Sequence, residues 1–292
     1  MAATIVPDAA FAECQHLATT HYENFSVLSW FLPHRLRPHF SSIYAFCRQT
    51  DDLGDEGALT PEERLARLNS WERDLRRCFE TGPQPEHPYL VALRETVRRF
   101  DLPPEPFLYL IQANRMDQLV HGYPTYDDLL DYCEHSANPV GRLVLMLYGY
   151  RDVERQRCSD AICTALQLTN FWQDVARDYQ QRRRIYLPQQ DMARFGYSEA
   201  ALAHGRSTPA FQALLAFEVQ RTRAQFAEGM PLLRHLQGRP RRAVALFVQG
   251  GLKTLAAIER QHYDVFSRRP TLSRRQKFWL MASQMLAVKT AH

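Results

Sequence analysis

IYAFCRQTDDLGDE, residues 43–56, begins as an apolar, aromatic helical run and ends with four carboxylates (Asp51, Asp52, Asp55 and Glu56) in six positions. At about 100° per residue, Tyr44, Arg48, Asp51, Asp52 and Asp55 fall within roughly 100° of arc on one helix face. They point the same way, at the negative end of the helix dipole, where carboxylates are disfavoured. The stretch is either a solvated helix end or a place where a cation sits between the side chains. Mg2+, which prefers carboxylate and water oxygens, suits the second reading.

A second polar stripe lies far along the chain. In QLTNFWQDVARD, residues 167–178, Gln167, Asn170, Asp174 and Asp178 are spaced three, four and four apart, within roughly 80° of arc. The intervening Leu166, Leu168, Phe171, Trp172 and Val175 are apolar and read as core. A polar stripe flanked by core residues suggests a polar cavity inside a helical bundle, with a solvated face as the plainer alternative. Brought face to face, two such stripes would make a cage of carboxylates holding Mg2+ ions, which in turn would bind a diphosphate.

Composition narrows the class. The 292 residues are 45% hydrophobic, ample for a packed core, and 36 basic against 32 acidic residues leave a formal charge of only +4. The arginine runs (182–184, 241–242, 268–269 and 274–275) are short and dispersed, which argues against a nucleic-acid partner. The six cysteines form no CxxC or Cys/His ligand spacing and read as reduced core residues of a cytoplasmic protein. His121, His135 and His262 are scattered, so zinc has little support, and Cys133, His135 and Ser136 are too close in sequence to form a nucleophilic triad. No signal peptide is expected from MAATIVPDAAFAECQ, and no apolar stretch approaches the roughly 18 residues of a membrane span. Phe278, Trp279, Leu280, Met281 and Met285 read first as core and second as a peripheral lipid contact, at the inner membrane.

Apolar residues recur at three- and four-residue spacing almost throughout, and strand-like alternation is scarce, so the fold is expected to be all-α. Turn residues break the pattern at, for example, Thr60-Pro61, Gly82 to Pro88, Gly122 to Pro124, Asn138-Pro139 and Gly205 to Pro209, and Pro231 predicts a kink or a helix end. None of the breaks is a long linker, which favours one domain over residues 1–292. Asp117 reads equally as part of a polar cavity or as a helix cap. Tyr123, Tyr126 and Tyr132 read equally as packing residues or cation stabilisers. Gly250-Gly251 alone is no nucleotide-binding loop and reads as close packing or a helix interruption.

The sequence of IYAFCRQTDDLGDE, then QLTNFWQDVARD, then RIYLP at 184–188, resembles the squalene and phytoene synthase family, from about Tyr22 to Lys277. The resemblance implies an all-α isoprenoid-synthase bundle with a central active-site cavity. It assigns Asp51, Asp52, Asp55, Asn170, Asp174 and Asp178 to Mg2+ (with Mn2+ as a substitute) and diphosphate binding. It assigns Tyr44, Arg48, Arg177, Arg184, Tyr186, Arg268 and Lys277 to diphosphate contact or the flap after the second motif, and Gln167 to the lining of the site. HYENFSVLSWFLP (21–33), with Asn24 and Phe25 as substrate-binding candidates, and YCEHSANPVGRLVL (132–145) are similar to the hydroxysqualene synthases of bacterial hopanoid and squalene pathways. Asn138 cannot serve as an acid at neutral pH but can orient a water or an oxygen. Gly251, where many relatives carry tyrosine, and Arg183, where a glycine usually precedes the flap arginine, depart from the pattern.

The reaction so implied starts from presqualene diphosphate and ends with water capture of an allylic cation, giving hydroxysqualene without NADPH. Condensation of two farnesyl diphosphates to presqualene diphosphate or dehydrosqualene, or of geranylgeranyl diphosphate to phytoene, is the alternative. A non-catalytic assembly factor of the same fold is the distant one, opposed by the intact aspartates.

Overall fold

The computed structural model describes residues 6–21 and 32–271; Asn24, Phe25, Lys277 and the apolar residues 278–285 lie outside them. The described residues are overwhelmingly helical, as the periodicity requires, and hold no strand beyond an isolated parallel bridge between Gly122 and Ile185. The chain packs as two compact units, one of residues 1–119 and 139–156, the other of residues 120–138 and 157–292.

In the first unit, α1 (Pro7–His21), α2 (Arg37–Asp55), α3 (Pro61–Arg76), α4 (Pro88–Phe100) and α5 (Glu105–Leu119) are arranged about α2, which touches the other four. The start of α3 is written in Thr60-Pro61: the Thr60 hydroxyl accepts from Glu63 N–H, and the Glu63 carboxylate accepts from Thr60 N–H at 2.8 Å. Phe46 of α2 is fully buried, stacked on Trp71 of α3 at 5.8 Å and edge-on to Phe107 of α5 at 5.2 Å. Trp71 donates its indole N–H to Thr50 Oγ1 at 2.9 Å, so the last turns of α2 are anchored by a bonded aromatic rather than by propensity alone. At its other end, Ser42 meets buried Thr96 of α4 at 2.8 Å.

In the second unit, α6 (Tyr126–Ser136) starts at a Thr125/Asp128 capping box. α7 (Asn138–Leu147), which after Asn138 belongs to the first unit, leads to α8 (Val153–Arg182), whose 30 residues span about 45 Å and lie in the second unit from Arg157 on. Beyond it come α9 (Gln189–Arg194), α10 (Glu199–Ala203), α11 (Pro209–Gly229), α12 (Leu232–His235) and α13 (Gly238–Arg260). The break at Pro231 falls as expected, between α11 and α12. Buried Trp172 of α8 donates to Thr222 Oγ1 of α11 at 2.7 Å, and Arg223 of α11 clasps Glu259 of α13 at 2.8 and 3.0 Å. α13 runs unbroken through Gly250-Gly251, and a Cβ at Gly251 would collide with Phe226 and Leu166, which selects the close-packing reading. Gly229 closes α11 against α8: a Cβ there would lie 2.8 Å from Cys158 O and 3.0 Å from Ile162 N, both backbone atoms that cannot swing aside. Gly229→Ala is therefore expected to destabilise the protein by about 1–3 kcal/mol, read as a lower urea midpoint; an unchanged midpoint would contradict this packing.

Candidate active site

The first motif occupies the last turn of α2, as its sequence requires. Arg48 Nη2 lies 2.6 Å from Asp52 and 2.8 Å from Glu56, neutralising the outer carboxylates. Half-buried Tyr44 sits one turn earlier. Asp51 keeps an open surface yet is ringed by protein, and that desolvation pushes its carboxyl from 3.8 up to about 6. A hydrogen bond from Asn114 Nδ2 at 3.2 Å opposes the rise, Asp55 and Asp117 add to it, and Arg48 again opposes it. α5 thus presents a polar stripe to the end of α2. Asn114 holds Asp51, Gln118 donates to Gly54 O at 3.0 Å, and the charge of Asp117 bears on Asp51, which places Asp117 with the motif.

The second motif lies on α8 with the exposure its pattern predicts. Leu168, Phe171, Trp172 and Val175 are buried, Gln167, Asp174 and Asp178 are half-buried, and Asn170 is exposed. Burial, reinforced by Asp174, pushes Asp178 up to about 6 against the pull of Arg182, Arg184 and Arg177. Arg177 is itself exposed and donates along the helix to Gln181 at 3.2 Å. The basic group that reaches Asp174 is Arg269, whose Nε and Nη2 lie 2.5 and 2.7 Å from the two carboxylate oxygens. Arg268, the expected candidate, contributes its backbone carbonyl to Gln261 Nε2 instead. Neighbouring residues on an irregular segment point different ways, and sequence alone could not choose between two adjacent arginines.

The flap after α8 opens with strain. Arg183 has φ +55°, a left-handed conformation that costs a non-glycine residue about 1–2 kcal/mol, which accounts for glycine being usual there. Its guanidinium stacks over Tyr179 at 5.1 Å. Arg184 follows, buried, and Ile185 N–H then bonds His121 O at 2.8 Å in the isolated bridge. The bridge turns Tyr186 onto Phe171, with ring centroids 3.8 Å apart and planes within 8°. Tyr123 and Tyr132 complete an aromatic panel at 5.9 and 5.8 Å from Tyr186. Tyr126 stands apart, under Arg221 at 4.0 Å, where Arg221 pairs with Asp191 of α9 at 3.1 Å. That arginine also approaches the fully buried Glu218 at 3.6 Å; burial raises this carboxyl to about 8. Glu218, Asp191 and Arg221 tie the end of the flap to α11, and no local sequence pattern marked them.

Asn138 opens α7 and accepts from Thr164 Oγ1 at 2.9 Å. Ten residues of α8, about 15 Å, separate Thr164 from Asp174, so Asn138 is not at the second motif itself. Among the described residues no three His, Cys, Asp or Glu side chains converge as a closed cage. The acidic motifs offer carboxylates on adjacent turns, which suits Mg2+, an ion bound through one or two carboxylates with water and phosphate oxygens completing its shell.

An all-α fold with an aspartate stripe on α2, another on α8 and a tyrosine-bearing flap behind the second defines an isoprenoid synthase. The chain belongs to the squalene/phytoene synthase family, whose model matches residues 18–276. Its fold superposes with a TM-score of 0.83 on the crystal structure of squalene synthase HpnC from Alicyclobacillus acidocaldarius, 47% identical, covering 88% of this chain and 96% of that one. A hydroxysqualene synthase of Rhodopseudomonas palustris is 34% identical over 72% of this chain and 70% of its own length. A 15-cis-phytoene synthase of Synechococcus elongatus is 33% identical over 89% and 87%.

Asp51 and Asp178, titrating near 6 when folded against an ordinary 3.8, hold extra protons in the folded state between those values. Their contribution to stability is therefore fullest below about pH 4 and is lost as pH rises through 6. In EDTA, Asp51→Asn and Asp178→Asn should each melt above the wild type at pH 8 and converge with it by pH 4; variants that melt lower at pH 8 would contradict the crowding.

Proposed function

We propose that this chain ionises presqualene diphosphate and lets water capture the rearranged allylic cation, releasing hydroxysqualene and diphosphate. The observation that carries the reading is the clustering of carboxylates at both motifs, where desolvation, reinforced by neighbouring carboxylates, pushes Asp51 and Asp178 each up to about 6. Such crowding is unfavourable in the protein alone and is relieved by cationic charge. Asp51, Asp52 and Asp55 of α2, with Asn170, Asp174 and Asp178 of α8, are the proposed Mg2+ ligands. All are hard oxygen donors, and Mn2+ suits the same set. Bound there, the ion would supply charge neutralisation for a departing diphosphate.

The remaining work falls to the chain's own groups. Arg48 and Arg184 stand beside the acidic residues as cationic donors suited to diphosphate oxygens, and Arg269 is positioned to transfer from Asp174 to that anion. Tyr186, stacked on Phe171, and the buried Tyr123 and Tyr132 are proposed as an aromatic wall that stabilises a delocalised carbocation. In the last step a water oxygen forms the new C–O bond and loses a proton to solvent or to diphosphate, so no hydride and no NADPH are consumed. Asn138 is proposed to orient that water through its amide.

The likeness to a hydroxysqualene synthase, together with SANPVG at 136–141, supports this product, and the likeness to HpnC, a squalene synthase, supports the C30 class. The phytoene synthase match over 89% of the chain favours a second reading, condensation of two prenyl diphosphates. Incubation with presqualene diphosphate and Mg2+, without NADPH, is expected to give hydroxysqualene, and Asp51→Asn and Asp174→Asn should each lower turnover by about 10²-fold or more. Squalene as product, or no turnover, would overturn the water-quenching reading; product from farnesyl or geranylgeranyl diphosphate alone would establish the second.

A further inference from the structure

The start of α2 lies about 27 Å along the helix from Asp55, and it borders a cavity of about 340 Å³ within the first unit. Arg35, Arg99 and Arg151 line it over a floor of Leu36, Phe100 and Met146, and no carboxylate is among its lining residues. Arg151 is fixed in place, donating to the carbonyls of Phe100 and, at 3.0 Å, Asp101. Arg35 and Arg99 are exposed, and among the described residues neither has an ion-pair partner. Two helices, α4 and α7, end beside the cavity, each contributing about −0.5 of a charge. Three guanidinium groups against that leave a net charge of about +2. The surplus is felt inside the fold: after burial, Arg99 is the second cause holding buried His39 below its ordinary value. At the rim, Gly149 has φ +85° and open space where a side chain would stand.

Planar, multiply donating guanidinium groups above an apolar floor suit a phosphate carried on an apolar body. We propose that this cavity is a phosphate-binding site for an amphiphile, separate from the acidic motif of α2. The site is independent of which diphosphate those motifs take. Its ligand phosphate belongs either to a lipid headgroup or to a free phosphate ester, and two probes separate the sources.

The full chain is floated with vesicles of 70% phosphatidylcholine and 30% phosphatidylglycerol and with pure phosphatidylcholine vesicles, and is titrated calorimetrically with glycerol 3-phosphate. Arg35→Glu/Arg99→Glu is compared with Arg239→Glu/Arg241→Glu, a pair of exposed arginines with the same charge change on α13. Thermal midpoints equal to the wild type establish that both are folded. The expected result is binding of at least one phosphate probe that weakens roughly tenfold in the Arg35/Arg99 pair and much less in the control pair. Binding to anionic vesicles alone assigns a lipid headgroup, and binding of glycerol 3-phosphate assigns a free ester. No binding of either probe by the wild type, or equal losses in both pairs, overturns the site.

Discussion

Like charges confined at the ends and along the faces of helices are the constraint around which this molecule is organised. Asp51, Asp52 and Asp55 sit at the negative end of α2, and desolvation by the surrounding protein drives Asp51 above its ordinary range. Asp174 and Asp178 repeat the arrangement on α8. Left alone, neither helix would choose to end or expose itself in this way. The packing elsewhere holds them: Phe46, Trp71 and Phe107 lock the last turns of α2, and Trp172 bonded to Thr222 locks α8 against α11. Each fully buried aromatic of this kind contributes about 1.5–3 kcal/mol, enough to impose a repulsive geometry on neighbours that would otherwise relax outward.

Around those carboxylates the protein sets arginines that remain partly open to solvent. Arg48 bridges Asp52 and Glu56, and Arg269 grips both oxygens of Asp174. Both pairs are partly open to solvent, where ion pairs are individually weak, so either arginine can be redirected at small cost when a polyanion arrives. The flap adds a second economy of design. Strain at Arg183 turns the chain sharply out of α8, and the bridge at Ile185 converts that turn into the stacking of Tyr186 on Phe171. One backbone distortion thereby puts a cationic residue, Arg184, and an aromatic face, Tyr186, two residues apart just beyond the acidic stripe.

Most of the fold was legible because its signals are local. Thr60-Pro61-Glu62-Glu63 names a helix start, Pro231 names a break, and the apolar positions of residues 166–175 name the buried face of α8. The acidic stripes were legible for the same reason, since helical spacing alone puts Asp51 with Asp55 and Asp174 with Asp178. What escaped lies in contacts between residues distant in sequence. Asn114 reaches Asp51 across 63 positions and Arg269 reaches Asp174 across 95, and a helical pattern says nothing of which distant side chain will arrive. The same holds for Asn138 beside Thr164 and for the buried Glu218, Asp191 and Arg221. Arg183 was visible only as a departure from the family's glycine; its φ supplies the reason.

The proposed role of the acidic motifs is to bind diphosphate through a divalent ion. Calorimetric titration of inorganic diphosphate into the full chain tests it without any turnover. Tight binding is expected in millimolar Mg2+, little or none in EDTA, and loss of the Mg2+-dependent component when either Asp55 or Asp178 is replaced by asparagine. Equal affinity with and without Mg2+, or variants that bind as the wild type does, would contradict it.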